Sequence, residues 1–234
     1  MTVLGFSAVV LLVSLAAGFF GALTGLGGGV IVVPLLTLGF GIDIRYAIGA
    51  SLVSIIATSS GAAAAYVREG YTNIRVGMFL ELATTLGAIG GALLAARVSQ
   101  GALAATFGVL LLVSAWLNLR PRPEHLDAAR SDRTAAWLRL AGAYPAGGPA
   151  GPPQAYGVRH VPAGFALMGL AGALSGLLGI GSGAFKVLAM DQVMRLPFKV
   201  STTTSNFMIG VTAAASAGVY LSRGYIDPGI AMPG

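Results

Sequence analysis

Residues 4–40 read LGFSAVVLLVSLAAGFFGALTGLGGGVIVVPLLTLGF, 37 positions without one ionisable side chain. As a single straight helix rising ~1.5 Å per residue the run would be about 55 Å long, against a hydrocarbon core of roughly 30 Å. It therefore has to break. Gly25, Gly27, Gly28 and Gly29 supply the break, because glycine destabilises a helix and accepts backbone angles that other residues resist. The remainder up to Phe40, interrupted by Pro34, is too short to cross alone and is expected to be a re-entrant half-helix.

Further apolar runs follow from Ala47 to Val67, Val76 to Ala96, Leu103 to Leu119, Val161 to Met190 and Val200 to Leu221. With 56% hydrophobic residues, 9% charged residues and a mean hydropathy of +0.82, the chain has the composition of a membrane protein. The runs are continuous and lack apolar/polar alternation, which favours helices over barrel strands. The expected fold is all-α and polytopic, with about six membrane segments. Met1 to Phe20 lacks the basic start and short apolar core of a cleaved leader and is read as a helix. There is no cysteine, and His125 and His160 both fall in a polar loop without a helical partner, so no metal or cofactor is expected.

Fourteen Lys and Arg against eight acids mark topology here and not nucleic-acid binding. If each segment has its ends on opposite faces, one face collects Arg68, Arg75, Arg120, Arg122, Arg130, Arg133, Arg139, Arg159 and Arg223. The other has Arg45, Arg97, Arg195 and Lys199. The positive-inside rule then makes the N-terminus and the 120–160 loop cytoplasmic. That Arg/Pro/Gly-rich loop, which starts PRPEH and ends GGPAGPPQ, reads as extended linker. A short basic helix over Asp127 to Leu140, with Trp137, Leu138 and Leu140 on an interfacial face, is an alternative within it.

Sliding the sequence by 154 positions aligns Gly18 to Asn73 with Gly172 to Asp227 without a gap. GLGGGV at Gly25 falls on GIGSGA at Gly179, Arg45 on Lys199, Ser51 on Ser205, Thr58 on Thr212, and Tyr66, Gly70 and Tyr71 on Tyr220, Gly224 and Tyr225. The chain thus divides into a first half (1–119), the loop (120–160) and a second half (161–234). An even number of segments separates the copies, so they are expected to run parallel. A duplicated build is common in transporters, with the substrate between the halves.

A helix broken inside a membrane leaves N–H groups that lipid cannot satisfy, and at the start of a half-helix these suit an anion. The candidate ligands are Gly27, Gly28 and Gly29 with Gly181, Ser182 and Gly183, converging with Lys186, Ser51, Thr204, Ser205 and Asn206. The competing role for glycine is close helix packing, as at Gly21-x-x-x-Gly25, Gly87-x-x-Gly90-Gly91 and Gly172-x-x-x-Gly176. Lys186 follows Gly179 by seven positions, where a charge is costly without an anion or a carboxylate partner. Glu81, one and a half turns inside its helix, is a candidate for ion coupling, for instance by a proton, or else an interfacial partner of Arg75.

GFFGALTGLGGGVIVVPLL, AIGASLVS and YVREGYTN, echoed by GALSGLLGIGSGAFKVL, STTTSNFM and YLSRGYID, resemble the TauE/SafE family of membrane transporters. The resemblance spans nearly everything outside the 120–160 loop. It implies export of sulfite, sulfoacetate or related organosulfonates from a bacterial inner membrane, the partners being the bilayer and a small sulfur oxyanion. It also implies two closing helices after the second copy, and the chain stops at Gly234 before them, as a piece of a longer protein would. Lys186 and Leu188 stand where the first copy has Val32 and Pro34. With no ATP-binding motif, the expected function is secondary transport of a small anion. The alternatives are a non-transporting membrane subunit, or an embedded enzyme, for which the chain offers no helical His, no Cys and no paired intramembrane carboxylates.

Overall fold

A computed structural model describes residues 3–25, 27–119, 131–148 and 150–233. The run at 4–40 is two helices: α1 (Val3–Thr24) and α2 (Gly29–Pro34), the latter loosening into a π-helical turn at Leu35–Gly39. Then come α3 (Ile44–Arg68), α4 (Ile74–Ala95) and α5 (Gln100–Leu119). A short extramembrane segment holds α6 (Arg133–Trp137) and the antiparallel strands β1 (Gly142–Pro145) and β2 (Pro153–Tyr156). The second half has α7 (Val161–Leu178), α8 (Gly183–Leu188) with its own π turn at Ala189–Val193, α9 (Phe198–Ser222) and α10 (Pro228–Ala231). From Gly29 to Arg68, every element bound recurs 154 positions later. Four of the described helices, α1, α3, α4 and α7, are long and apolar enough to cross a membrane.

Local chemistry explains the boundaries. Asp43 caps α3 by accepting from the Arg45 N–H at 2.9 Å, and Asn73 caps α4 by accepting from the Val76 N–H at 3.0 Å. Gly25 and Gly27 stop α1 at φ of 69° and 81°, and Gly179 and Gly181 stop α7 at 62° and 73°. These left-handed angles cost glycine little.

The direction of each helix follows from who meets whom. α1 runs parallel to α3, since Phe6 stacks edge-on against Phe40 just before α3, while Ala22 near its far end accepts from the Tyr66 hydroxyl. α4 runs parallel to α9, with Asn73 bonded to Thr204 at one end and Ala92 to Arg223 at the other. α3 and α9 are antiparallel, because Gly49 abuts the Tyr225 carbonyl and Ser59 abuts Gly210. The segments related by the 154 offset therefore point in opposite directions, not in parallel as expected. The cause is the run at 4–40, which crosses and then returns half-way, so that both its ends lie on one face. Three long helices, α3, α4 and α5, lie between the two broken runs, and three is odd.

The same geometry redistributes the charges. The Arg159 N–H donates to the Met194 carbonyl at 3.0 Å, which puts Arg195 and Lys199 at the end that holds the extramembrane segment, together with Arg68, Arg75, Arg133, Arg139 and Arg159. Arg45, Arg97 and Arg223 occupy the far end, and so does the start of α1, which was expected beside the loop.

Residues 131–148 and 150–160 are not extended linker. Ala135, Leu140, Tyr156 and Val158 are buried against Val76, Leu80, Val161 and Met194. Trp137 is 82% exposed and Leu140 is core, so the two do not share an interfacial face. Of the proposed helix at Asp127 to Leu140, residues 127–130 lie outside the described residues, as does His125. Between α4 and α7, Gly87, Gly91, Gly172 and Gly176 stand where an added Cβ would come within 1.9 to 2.1 Å of a carbonyl oxygen on the other helix. These glycines are packing residues.

Candidate functional site

The two glycine breaks touch deep inside the bundle. A Cβ on Gly29 would lie 2.8 Å from the Gly179 carbonyl oxygen, and one on Gly27 would lie 3.3 Å from that of Ile180. A broken helix leaves orphan carbonyls as well as orphan N–H groups. The structure satisfies the carbonyls reciprocally. Ser51 of the first half donates to the Gly179 oxygen at 2.9 Å, and Ser205 of the second half donates to the Gly25 oxygen at 3.1 Å. Both the serines and the glycines are related by the 154 offset, so these are two instances of one tie. Asn206 adds a bond from its amide to the Ala22 carbonyl at 2.8 Å.

On the N–H side, the first helical bonds run from Ile31 and Val32 to Gly28 O, and from Phe185 and Lys186 to Ser182 O. The preceding N–H groups, those of Gly27 to Gly29 and Gly181 to Gly183, stand outside the helical ladder. The Ser182 hydroxyl among them is buried and has no hydrogen-bond partner. A narrow crevice beside Gly27 and Gly28 is lined by Gly21, Ala22, Thr58, Ser59 and Asn206, with no room for a water molecule. Thr204 points elsewhere, its hydroxyl accepting the Asn73 N–H at 3.0 Å.

Lys186 and Glu81 meet. The ammonium is fully buried and lies 3.9 Å from Glu81 Oε2, and the Thr212 hydroxyl bridges the pair. It accepts from Lys186 Nζ and donates to Glu81 Oε1 at 2.7 Å, while Thr85 donates to the same oxygen at 2.9 Å. Glu81 is thus paired with Lys186 and not with Arg75, whose guanidinium reaches the Arg139 carbonyl in the extramembrane segment.

Two cavities were not anticipated. One of about 290 Å³ opens at the loop end, lined by Ala22, Leu23, Tyr66, Glu69, Tyr71, Phe198, Lys199, Thr202 and Thr203. Adding or subtracting 154 turns Tyr66, Glu69, Tyr71 and Lys199 into Tyr220, Arg223, Tyr225 and Arg45, which line a second crevice at the far end with no room for water. There Arg45 stacks over the Tyr225 ring at 5.8 Å, and Arg223 donates to the Ala92 carbonyl at 3.0 Å. The open cavity adjoins a latch: the Asn73 amide donates to the Tyr156 hydroxyl at 2.8 Å and to the Leu140 carbonyl at 3.0 Å. Burial pushes the Tyr156 hydroxyl up to about 12, against the opposing pull of the Asn73 bond. Among the described residues no group of three or more His, Cys, Asp and Glu could hold a metal.

Residues 10–233 match the family described as sulfite exporter TauE/SafE. The chain belongs to that family. The TauE/SafE chain is 26% identical over 227 residues to "Probable membrane transporter protein YunE" of Bacillus subtilis (strain 168), covering 94% of this chain and 80% of the relative. It is 28% identical over 222 residues to "Probable membrane transporter protein YdhB" of the same organism, covering 94% and 79%. Over 112 residues it is 30% identical to "Probable membrane transporter protein ORF9" of Sinorhizobium sp, covering 47% and 42%. No solved structure matches. Family and apolar helices together make this TauE/SafE protein a multi-pass membrane protein of a transporter family.

Proposed function

We propose that the protein is a secondary transporter that exports a small sulfur oxyanion, sulfite or an organosulfonate, across the bacterial inner membrane. Its membrane part is read as six segments in two inverted copies of one unit, a broken helix, a half-helix and a full crossing, with the substrate at their contact. The observation that carries this reading is the pair of glycine breaks, one from each half, buried against one another and tied reciprocally by Ser51 and Ser205. The anion's ligands are the N–H groups of Gly27 to Gly29 and Gly181 to Gly183 and the unpaired Ser182 hydroxyl. Ser51, Ser205 and Asn206 lie close enough to exchange their present partners for an oxyanion as the halves move apart, whereas Thr204, expected among the ligands, is held by Asn73. Lys186 contributes positive field from behind α8, and the 290 Å³ cavity is the approach from the loop end. The excess of Arg and Lys at that end makes it cytoplasmic, and α1 then begins on the periplasmic side.

The test is flux in liposomes with labelled sulfite, sulfoacetate, thiosulfate and sulfate. Movement of at least one anion, abolished by Gly28→Val and by Ser182→Val in protein that still inserts and expresses, supports the reading. No flux of any of the four, or wild-type flux in both variants, refutes it.

A further inference from the structure

The unit of Glu81, Thr212 and Lys186 is separate from the glycine contact and joins three helices, α4 from the first half and α8 and α9 from the second. We propose that Glu81 carries the coupling proton of this transporter, with Lys186 as its fixed counter-cation and the Thr212 hydroxyl as the rotor that accommodates the change. The proposal rests on the transport reading above, and names the ion that moves with the anion.

Geometry makes the argument. Glu81 Oε1 takes hydroxyl donors from Thr212 and Thr85, whereas Oε2 is buried with no hydrogen-bond partner and faces the ammonium at 3.9 Å. A buried ionised carboxylate needs both oxygens satisfied, and the bare one is where a proton settles. Thr212 has one hydroxyl hydrogen and two acceptors within reach, Glu81 Oε1 at 2.7 Å and the Met208 carbonyl at 2.9 Å. When the carboxyl is neutral, that hydrogen can turn to Met208 while the oxygen still accepts from Lys186, so no heavy atom has to move. The proton comes from a hydronium ion on one side, forming O–H at Glu81 Oε2 and leaving water, and that O–H bond breaks when the proton passes to water on the opposite side.

Charge balance supplies the coupling. With Glu81 ionised the buried unit is neutral, and with Glu81 protonated it carries the uncompensated charge of Lys186. A bare buried cation is strongly unfavourable, so proton uptake favours arrival of an anion in the same membrane interior, and by linkage the anion favours the proton.

The surrounding elements hold few competing charges. α7 and α5 have no ionisable side chain; α9 has Lys199 and Tyr220 near its ends; α4 has Arg75, six residues toward the loop; and the π turn after α8 has Asp191. The first half lacks the unit: Val32 and Thr58 replace Lys186 and Thr212, and the Thr58 hydroxyl turns back to the Ser54 carbonyl at 3.0 Å.

The experiment uses the full chain in liposomes with a trapped pH-sensitive dye and labelled sulfoacetate, which stays ionised near neutral pH and carries no proton itself. The wild type is expected to move protons with sulfoacetate. E81Q is expected to keep exchange of labelled for unlabelled anion near the wild-type rate while proton movement falls to background. If E81Q fails to fold because Lys186 is stranded, E81Q/K186M removes both charges, and the readout is protons moved per sulfoacetate carried, which stands whatever the loss of Lys186 does to the anion rate. Proton movement at the wild-type ratio in either folded variant overturns the proposal, as does sulfoacetate flux without protons in the wild type. A transport reading that has failed shows instead as no flux of any of the four anions, and where sulfoacetate does not move, pH-difference infrared spectra decide: a titrating carboxylic-acid band lost in E81Q supports the proton site, and no such band overturns it.

Discussion

Gly29→Ala probes the contact between the halves most directly. The new Cβ would sit 2.5 Å from Ser51 Oγ, 2.6 Å from Ile55 Cδ1 and 2.8 Å from the Gly179 carbonyl oxygen. One of these neighbours is backbone and another is the hydroxyl that ties Gly179, so relief requires breaking the tie or separating the breaks. Overpacking of this kind costs about 1–3 kcal/mol, and a lost buried hydrogen bond adds about 1 kcal/mol. At roughly 2–4 °C per kcal/mol for a chain of this size, the thermal midpoint in detergent should fall by about 5–15 °C. Gly90→Ala is the control, because a Cβ there meets nothing within 4 Å and helix propensity improves. In a Ser51→Ala background the Gly29→Ala cost should shrink, since the clashing oxygen is gone. If Gly29→Ala melts with the wild type, or costs the same with and without Ser51, the breaks do not meet as described.

Gly176→Val places its Cβ 1.9 Å from the Ala88 carbonyl oxygen and should abolish folding, read as loss of the monodisperse peak in size-exclusion chromatography. Lys186→Met strands the Glu81 carboxylate and should destabilise by about 3–5 kcal/mol, with Glu81→Gln/Lys186→Met recovering most of it in the same melting assay. The Tyr156 hydroxyl is held above the value of 10.0 it has when unfolded, so its contribution is intact below about pH 10 and fades as pH rises toward 12. Tyr156→Phe should flatten that alkaline loss and cost about 1 kcal/mol at neutral pH for the Asn73 bond. Because the chain has no cysteine, single-cysteine labelling can settle orientation: an impermeant maleimide should reach Ser99→Cys on intact cells and Thr134→Cys only after permeabilisation.

Much of this was legible in residue order. The break at Gly25 to Gly29 follows from length alone, and the 154-residue register appears in glycines, hydroxyls and tyrosines before any coordinates. Four things were hidden. Direction depended on parity, and a crossing with a half-return looks in sequence like one long crossing. The present partners of the Ser51 and Ser205 hydroxyls do not show in residue order, because a broken helix frees carbonyls, here those of Gly179 and Gly25, as well as the N–H groups that suggest a ligand. The partner of Lys186 sits on α4, 105 positions earlier, where no local pattern connects the two. The strands GAYP and PQAY were too short, and too rich in Pro and Gly, to stand out from linker.

The tie from Ser205 to Gly25 spans 180 positions, which has a consequence for how the chain is made. The ribosome delivers the first glycine break long before the hydroxyl that will occupy its carbonyl exists; at about 5–20 residues per second the gap is roughly 10–35 s. During that interval α1 and α2 cannot rest in lipid with their opened turn bare. They must wait in the hydrated interior of the insertion machinery, or lie at the interface until α9 emerges. A nascent chain arrested between α5 and α7 should accordingly remain extractable from the membrane, and become resistant only once residue 205 has cleared the exit tunnel.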